Sequence, residues 1–241
     1  MDQQPQQQPA PPTRRRVNVW AIIAVALMVV VLGFATFFYV LVRQNLNQIK
    51  NQNQQSGTTY ITSSTDPYLG GVNAPITVVV FSDFQCPYCF QAFPVVRQIA
   101  ELYQDQIKLI FRDFPITDSH PQAQKAAEAG KCAHQQGKFW EMHDKMFINQ
   151  SDLSVEAIKK YAREVSLDGA TFDSCLDSGQ TAALVQRDLE DGITAGVDGT
   201  PTFFVNDRKF AGAVSLDSFR SIIDPLISIY SRTGTNANGA P

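Results

Sequence analysis

The chain of 241 residues is long enough for one sizeable domain with appendages, and 44% of its residues are hydrophobic, so a substantial core can form. Its formal net charge is −3. A protein with this balance has no global basic field to attract nucleic acid, which argues against a nucleic acid partner.

The N-terminal residues 1–16 are rich in Gln and Pro and end in three arginines, so they have almost nothing to bury and are predicted to be disordered. The next 26 residues, 17–42, carry no charged side chain, and a helix of that length reaches ~39 Å against a hydrocarbon core of ~30 Å. This segment is predicted to be a transmembrane helix. A buried core helix is rarely apolar on every face for so long, and a cleaved signal peptide should have a shorter apolar stretch.

The charges on either side of this segment predict its orientation. Three arginines, Arg14 to Arg16, precede it, whereas Arg43 and Lys50 follow it. The positive-inside rule therefore predicts a cytoplasmic N-terminus, a single membrane pass and an extracytoplasmic location for everything that follows.

Three further segments are predicted beyond the membrane helix. Residues 43–65 are rich in Gln, Asn, Ser and Thr and are expected to form a linker. Residues 66–232 are predicted to fold, starting with a turn-rich approach over 66–71. Residues 233–241 are expected to be a flexible tail.

The first half of the folded region reads as strand, helix, strand. Residues 76–81 are apolar and β-branched, as expected for a strand covered on both faces. An amphipathic helix follows Cys86, with Pro94 inside it as an expected kink, and residues 106–114 alternate like a second strand. Such a connection is a right-handed parallel crossover by strong precedent.

Helical periodicity then takes over between about residues 119 and 195. The predicted helical stretches are His120–Phe147, Val155–Val165 and Thr181–Thr194, separated by stops at 149–151, 168–169 and 178–179. The chain closes with a strand at 202–205, a turn, a short strand at 209–211 and a helix at about 216–230.

The motif Cys86-Pro87-Tyr88-Cys89 stands where the first strand meets the first helix. A helix N-terminus favours a thiolate, and Pro87 suits the first turn because its missing N–H costs nothing there. We expect Cys86 to be an exposed nucleophile and Cys89 a shielded resolving thiol. A zinc site is the alternative, but it would need a second pair of ligands at short spacing, and a purely structural bond across so small a loop would stabilise little.

Three separated motifs of this chain resemble those of the DsbA-like thiol:disulfide oxidoreductases. They are the segment 81–89 with its C-x-x-C pair, Gly137-Lys138-Phe139-Trp140, and the segment 196–206 around Thr200-Pro201. The resemblance covers roughly residues 66–230. It implies an α/β protein with a thioredoxin fold and an inserted helical domain at about 119–195, here preceded by the membrane helix.

The resemblance also implies a role for Thr200 and Pro201. Together they would form the cis-proline loop that faces the redox pair and offers its backbone to a substrate chain, although an ordinary trans turn is the alternative. Tyr88 departs from the best-known oxidases of the family, which carry His at that position. Tyrosine cannot supply the positive charge that helps to stabilise the thiolate there.

Three pairings of the four cysteines are formally possible, and a local Cys86–Cys89 pair leaves Cys132 with Cys175. Since extracytoplasmic relatives often have a second bond, we expect Cys132 and Cys175 to form a structural disulfide, with two free buried thiols as the alternative. His120, His134 and His143 are expected to be surface or helix-packing residues rather than proton shuttles. Most aromatic residues near the motif are expected to belong to the core.

The combined prediction is a membrane-anchored dithiol oxidase that acts on cysteine-containing extracytoplasmic polypeptides through Cys86 and Cys89. By family analogy, a quinone-linked membrane protein would reoxidise it, and neither a dissociable cofactor nor a metal is expected. A reductase or isomerase with the same site is the first alternative, and a non-catalytic peptide-binding chaperone is the second.

Overall fold

The computed structural model describes residues 27–28, 32–34, 36–44 and 62–233. The chain divides into a unit up to Gln54 and a unit from Gln55 onward. The described N-terminal positions are helical. Among all the described residues, no helix is both long enough and apolar enough to cross a bilayer. Much of the predicted membrane segment 17–42, the N-terminus 1–16, most of the linker and nearly all of the tail lie outside the described residues.

The larger unit has a mixed sheet of five strands with seven α-helices among its described residues. In chain order, the elements are β1 Tyr68–Gly70, β2 Ile76–Ser82, α1 Pro87–Tyr103, a 3-10 turn Gln104–Gln106, β3 Ile107–Asp113, α2 Ala123–Gln135, α3 Phe139–Ile148, α4 Val155–Glu164, α5 Gly169–Ser178, α6 Ala182–Thr194, β4 Thr202–Val205, β5 Arg208–Ala211 and α7 Leu216–Thr233.

The sheet has the strand order β1-β3-β2-β4-β5. Strands β2 and β3 are parallel, with Ile76 opposite Ile107, and the other three pairings are antiparallel. Helix α1 makes the crossover between β2 and β3, and helices α2 to α6 are inserted between β3 and β4. The observed architecture is thus a thioredoxin-like sheet interrupted by a helical insertion.

Two hydrophobic clusters cover the faces of the sheet because side chains along β2 alternate in direction. Val78 and Val80 belong to the larger cluster, which also holds residues of α1, α7 and the insertion. Val79 and Phe81 belong to the smaller cluster on the other face. Helix α6 comes close to that face at Gly192, where an added Cβ would lie 2.7 Å from the Phe114 ring.

The structure differs from the sequence prediction in three elements. Tyr68–Gly70, predicted as part of a turn-rich approach, is an edge strand paired with β3. The single helical stretch predicted over 120–147 is two helices, because Gly137 adopts a positive φ of 71° between them. The segment between the stops at 168–169 and 178–179 is helix α5, which Asp168 caps by accepting a hydrogen bond from the Thr171 N–H.

A buried ionic cluster joins the sheet to the insertion. The Arg112 guanidinium at the end of β3 lies 2.9 Å from the Asp188 carboxylate of α6 and 3.3 Å from Asp66. Lys131 of α2 lies 3.1 Å from Asp113 of β3 and also contacts Asp188. Removing one partner would leave a buried charge uncompensated, so these contacts tie the insertion to β3.

Candidate active site

The two cysteines of the motif lie where β2 gives way to α1. Strand β2 ends at Ser82, and Cys86 is the N-cap of α1 with extended backbone angles, followed by Pro87 at the first helical position. Both Cys86 and Cys89 are free thiols. The expectation that Cys86 is exposed was wrong, since only 3% of the residue is accessible. The turn at Thr200 covers it, with the Cys86 Sγ 3.3 Å from the Thr200 carbonyl oxygen.

The surroundings of Cys86 favour its thiolate. Hydrogen bonds lower the pKa of Cys86 from 9.0 to about 5, although burial opposes the shift, and the bond from the Cys89 side chain has the largest effect. The Thr200 side chain and the backbone N–H groups of Cys89 and Tyr88 also lower this pKa. The hydrogen bonds that Cys86 receives at this helix N-terminus are therefore the main stabilisation of its thiolate.

Cys89 has the opposite character. Burial raises the pKa of Cys89 well above 9.0, and the hydrogen bond and negative charge of Cys86 raise it further. The Ser82 side chain and the Asp83 N–H, which lies 3.4 Å from the Cys89 Sγ, partly offset these effects. The pair thus contains one ready thiolate and one thiol that keeps its proton.

Asp83 holds the loop that leads to Cys86. Its buried carboxylate accepts hydrogen bonds from the Gln85 N–H at 2.7 Å and from the Ile116 N–H at 2.8 Å, and it lies 2.7 Å from Nδ1 of His120. The sequence placed Asp83 near the cysteines but gave no signal for the two partners that lie more than thirty residues further along the chain.

Gln150 fixes the same loop from the side of the insertion. Its amide nitrogen donates to the carbonyl oxygens of Phe84 at 2.8 Å and of Cys86 at 2.9 Å. In the sequence, Gln150 belongs to the segment 149–151, which was predicted only to end a helix. Its contact with the motif depends on the packing of the insertion, which local pattern does not reveal.

Thr200 and Pro201 lie next to the cysteines although more than a hundred residues separate them in sequence. The peptide bond between them is cis. The Thr200 hydroxyl is buried beside the Cys86 thiol and has no hydrogen-bond partner among the described residues, so it can donate once Cys86 is a thiolate. The Pro201 carbonyl accepts a hydrogen bond from the Gly212 N–H at 2.8 Å. Tyr88 and Phe90, by contrast, expose 59% and 45% of their surface beside the motif.

Cys132 and Cys175 form a disulfide that joins α2 to α5, so this pair lies within the helical insertion. His143 is fully buried in a cluster of aromatic rings behind Cys89, with Nδ1 2.8 Å from the Asp144 carboxylate. The sequence did not indicate that this histidine approaches the active-site region.

The chain matches the thioredoxin family over residues 62–225, which include both cysteines and the Thr200-Pro201 bond. It belongs to the thioredoxin family. Two solved structures with this fold are a thioredoxin-like oxidoreductase from Silicibacter pomeroyi DSS-3 and the thiol-disulfide exchange protein alpha-DsbA2 from Wolbachia pipientis. The first is 26% identical, with a TM-score of 0.64 over 71% of this chain and 97% of the other. The second is 25% identical, with a TM-score of 0.65 over 77% and 98%.

The curated relatives are longer proteins. A Na(+)/H(+) antiporter, NhaA 3 from Salinispora tropica, is 39% identical over 158 residues, which are 66% of this chain and 24% of the antiporter. The chain thus spans about a quarter of the length of this relative. The thioredoxin family match and the oxidoreductase neighbours together support thiol-disulfide oxidoreductase activity for the domain of residues 62–225.

Proposed function

We propose that this protein is a dithiol oxidase that introduces disulfides into extracytoplasmic polypeptides through Cys86 and Cys89. The observation that carries the proposal is the placement of Cys86 at the N-terminus of α1, with its Sγ 3.3 Å from the Thr200 carbonyl oxygen and with hydrogen bonds that lower its pKa to about 5. A low thiolate pKa stabilises the reduced enzyme relative to its disulfide and so makes the disulfide a stronger oxidant.

The reaction begins with the oxidised pair. A substrate thiolate attacks the Cys86 sulfur, and Cys89 leaves as a thiolate and takes up a proton. A second substrate thiolate then attacks the substrate sulfur of this mixed disulfide, and Cys86 leaves as a thiolate. The substrate loses two electrons and two protons. The enzyme disulfide gains both electrons, Cys89 takes up one proton, and the other proton goes to solvent.

Cys86 suits the role of leaving group in the second step, because a thiol of low pKa leaves faster. Cys89 suits the role of the shielded partner, because burial raises its pKa and only 2% of it is accessible. Pro87 and Tyr88 complete the loop. We assign to Cys86 the sulfur that the substrate thiolate attacks, and to Cys89 the thiol that leaves in this step and closes the pair when the step runs backward.

Thr200 and Pro201 are proposed to align the substrate backbone beside Cys86. The 3.3 Å approach of the Thr200 carbonyl oxygen to the Cys86 sulfur supports this placement. The exposed rings of Tyr88 and Phe90 add an apolar surface next to the motif. An unfolded polypeptide offers both an extended backbone and apolar side chains, so it is the substrate class that suits this surface.

A reductase or isomerase that uses the same two cysteines is the second candidate. The reactive cysteine has a pKa of ~7 in thioredoxin and of ~3.5 in DsbA, so a value of about 5 for Cys86 falls between them. Tyr88 favours this candidate because it cannot supply a positive charge beside the thiolate.

We further propose that residues 17–42 anchor the protein in the cell membrane, with the catalytic domain outside the cytoplasm. The Cys132–Cys175 disulfide supports an oxidising compartment, where such bonds persist. Reoxidation would then come from a quinone-linked membrane protein, as the family resemblance implies. Cell fractionation of the full chain and of a variant that lacks residues 1–42 tests the anchor. The full chain should be found in the membrane fraction, and the shortened variant should be lost from it.

The direction of electron flow is tested by equilibrating the Cys86–Cys89 pair with glutathione. A reduction potential near about −120 mV supports the oxidase, and one near about −270 mV supports the reductase. The same preparation is assayed for oxidation of a reduced, cysteine-containing polypeptide, with Cys86→Ser as the control. Full function of Cys86→Ser in cells would instead favour a non-catalytic peptide-binding chaperone.

A further inference from the structure

A small cavity lies behind the active-site cysteines. Its volume of about 10 Å³ gives room for the centre of one water molecule. The residues with polar side chains among those that line it are Cys89, Ser82 and His143, and the others are aromatic or aliphatic. Three polar neighbours are enough to hold a single water, since a buried water makes two to four hydrogen bonds.

Cys89 needs a nearby group that can accept and return its proton. It loses a proton when it attacks a mixed disulfide on Cys86, and it regains one when that step runs backward. Only 2% of the residue is accessible, so bulk solvent does not reach it freely. Among the described residues that line the cavity, His143 is the ionisable side chain besides Cys89 itself.

His143 is held in a fixed orientation. Its ring is 1% accessible and packs edge-on against Phe84 and Phe147, with centroid distances of 5.8 and 4.9 Å. Nδ1 lies 2.8 Å from Oδ1 of Asp144, so a neutral ring that donates its Nδ1–H to this carboxylate has Nε2 as its acceptor.

Asp144 connects the buried ring to the surface. Its side chain is 30% accessible, and its other carboxylate oxygen lies 3.3 Å from the Arg97 guanidinium. The hydrogen-bond partner of His143, the Asp144 carboxylate, is therefore in contact with solvent. His143 thus lines the cavity together with Cys89 and has the partly accessible Asp144 as its hydrogen-bond partner.

We propose that His143 accepts the proton of Cys89, and returns it in the reverse step, through one water molecule in this cavity. The proposal rests on thiol-disulfide exchange at Cys86, which the proposed function also uses, but it does not depend on the direction of electron flow in the cell.

Protons and electrons both balance when Cys89 resolves a mixed disulfide on Cys86. The Cys89 thiol gives its proton to the water, and the water gives one to Nε2 of His143. The Cys89 thiolate attacks the Cys86 sulfur, the Cys86–Cys89 bond forms, and the bound thiol leaves as a thiolate with the electron pair. The enzyme dithiol is thereby oxidised and the departing group is reduced.

The charged groups around His143 leave it neutral at neutral pH. Burial lowers its pKa below 6.5, Arg97 of α1 lowers it further, and Asp144 on its own helix raises it. Cys89 faces it from α1 across the cavity, while Phe84 and Phe111 bring no charge. A neutral imidazole is the form that accepts a proton.

Reaction of the reduced full-length protein with Ellman's reagent measures this step directly. The Cys86 thiolate first forms a mixed disulfide with thionitrobenzoate, and Cys89 then displaces the aromatic thiolate, which absorbs at about 412 nm. Two phases result, and only the second is independent of reagent concentration. The first phase reports Cys86 alone and so serves as an internal control.

For His143→Leu we expect the second phase to slow by about 100-fold at neutral pH, the lower range for loss of a general base, with the first phase unchanged. In the wild-type protein the second phase should fall as pH drops through the pKa of His143. In the variant it should instead rise tenfold per pH unit toward the pKa of Cys89. Ser82→Ala should slow the same phase by a smaller factor, because the variant loses a polar neighbour of the water and the hydrogen bond by which Ser82 lowers the pKa of Cys89.

Phe139→Leu is the matched control. This buried ring packs 5.8 Å from His143 and is not among the cavity-lining residues, so its loss loosens the same packing without removing a proton acceptor. Folding of each variant is checked by circular dichroism. If His143→Leu does not fold, His143→Gln, which keeps polar atoms but cannot titrate, decides in its place.

A second phase within twofold of the wild-type rate, with the same pH profile, in a folded His143 variant would overturn the proposal. So would equal slowing by Phe139→Leu. Displacement of thionitrobenzoate occurs whichever way the protein works in cells. Failure of the oxidase proposal is seen in the glutathione equilibrium instead, and the two results are therefore distinguishable.

Discussion

At the scale of single residues, Cys86 links the acidity of one sulfur to the stability of the reduced protein. Its pKa is 9.0 in an ordinary setting and about 5 in the fold. A depressed pKa contributes stability that is fully present above the unfolded value and is lost as pH falls through the folded one. Reduced protein should therefore gain stability from about pH 5 to 9, by up to roughly 1.4 kcal/mol per pH unit.

Urea unfolding of the reduced protein at several pH values checks this expectation, with Cys86→Ser as the reference that lacks the thiolate. The thiolate absorbance near 240 nm should titrate with a midpoint of about pH 5 in the wild-type protein and vanish in the variant. A midpoint near 9 would contradict the hydrogen-bonded environment described for Cys86.

Thr200→Val tests the hydroxyl beside this sulfur. Valine has a similar shape but cannot donate a hydrogen bond to the thiolate, so the pKa of Cys86 should rise and the reduction potential should become more negative. Thiolate absorbance and glutathione equilibration measure the two effects. Thr202→Val is the matched control, since the Thr202 hydroxyl donates to the Gly199 carbonyl at 2.7 Å and not to the sulfur. Equal shifts in both variants would argue against a direct contact.

The sequence predicted the residues that form compact motifs better than those that reach the site through packing. Cys86, Cys89 and Thr200-Pro201 stand in short recognisable segments. Gln150 and His143 belong to the insertion, and their positions beside the cysteines follow from how α3 packs against α1 and β3. No periodicity in their own segments indicates that contact.

At the scale of elements, the disulfide between α2 and α5 stabilises the insertion. Its cysteines are 43 residues apart, and closing such a loop is worth about 4 kcal/mol in the chain-entropy model. The double variant Cys132→Ala/Cys175→Ala should lose up to that amount in urea unfolding while retaining most dithiol oxidation activity. It leaves no unpaired thiol in the insertion that would confuse the assay. A folded double variant without activity would show that the bond also serves the active site.

Elements with strong periodicity were predicted closely. Strand β2, helix α1 and strand β3 agree with the expected segments to within a residue or two. Strand β1 has only three residues and is formed by pairing with β3, so its own sequence does not predict a strand. Helix α5 is ten residues between two turn signals, and those signals proved to be its cap and its end.

At the scale of the whole molecule, the ionic cluster between the sheet and the insertion makes stability depend on pH. Burial raises the pKa of Asp113 to about 7, and the charge of Asp188 adds to this effect, although Lys131 and Arg112 oppose it. A carboxyl with a raised pKa keeps its proton longer in the folded state than in the unfolded chain. Its contribution therefore decreases as pH rises from about 4 to 7 and is constant above that.

Asp113→Asn should remove this part of the pH dependence. The oxidised protein is the form to use, because Cys86 does not titrate in it. Urea unfolding at pH values between about 4 and 8 measures the free energy of unfolding of the wild type and of the variant. The difference between the two free energies isolates Asp113, because the histidines contribute equally to both proteins. Asp173→Asn, which alters an exposed pair with Arg163, is the control and should leave the slope unchanged. An unchanged slope in Asp113→Asn would contradict the raised pKa.

The insertion of five helices between β3 and β4 also has a consequence for biosynthesis. A ribosome completes Cys86, Cys89 and Cys132 before Cys175, and it completes the Thr200-Pro201 turn that covers Cys86 later still. During that interval three thiols are available for pairing while the native partner of Cys132 does not yet exist. The nascent chain must therefore avoid non-native disulfides among its own cysteines. In this respect it resembles the polypeptides on which it is proposed to act.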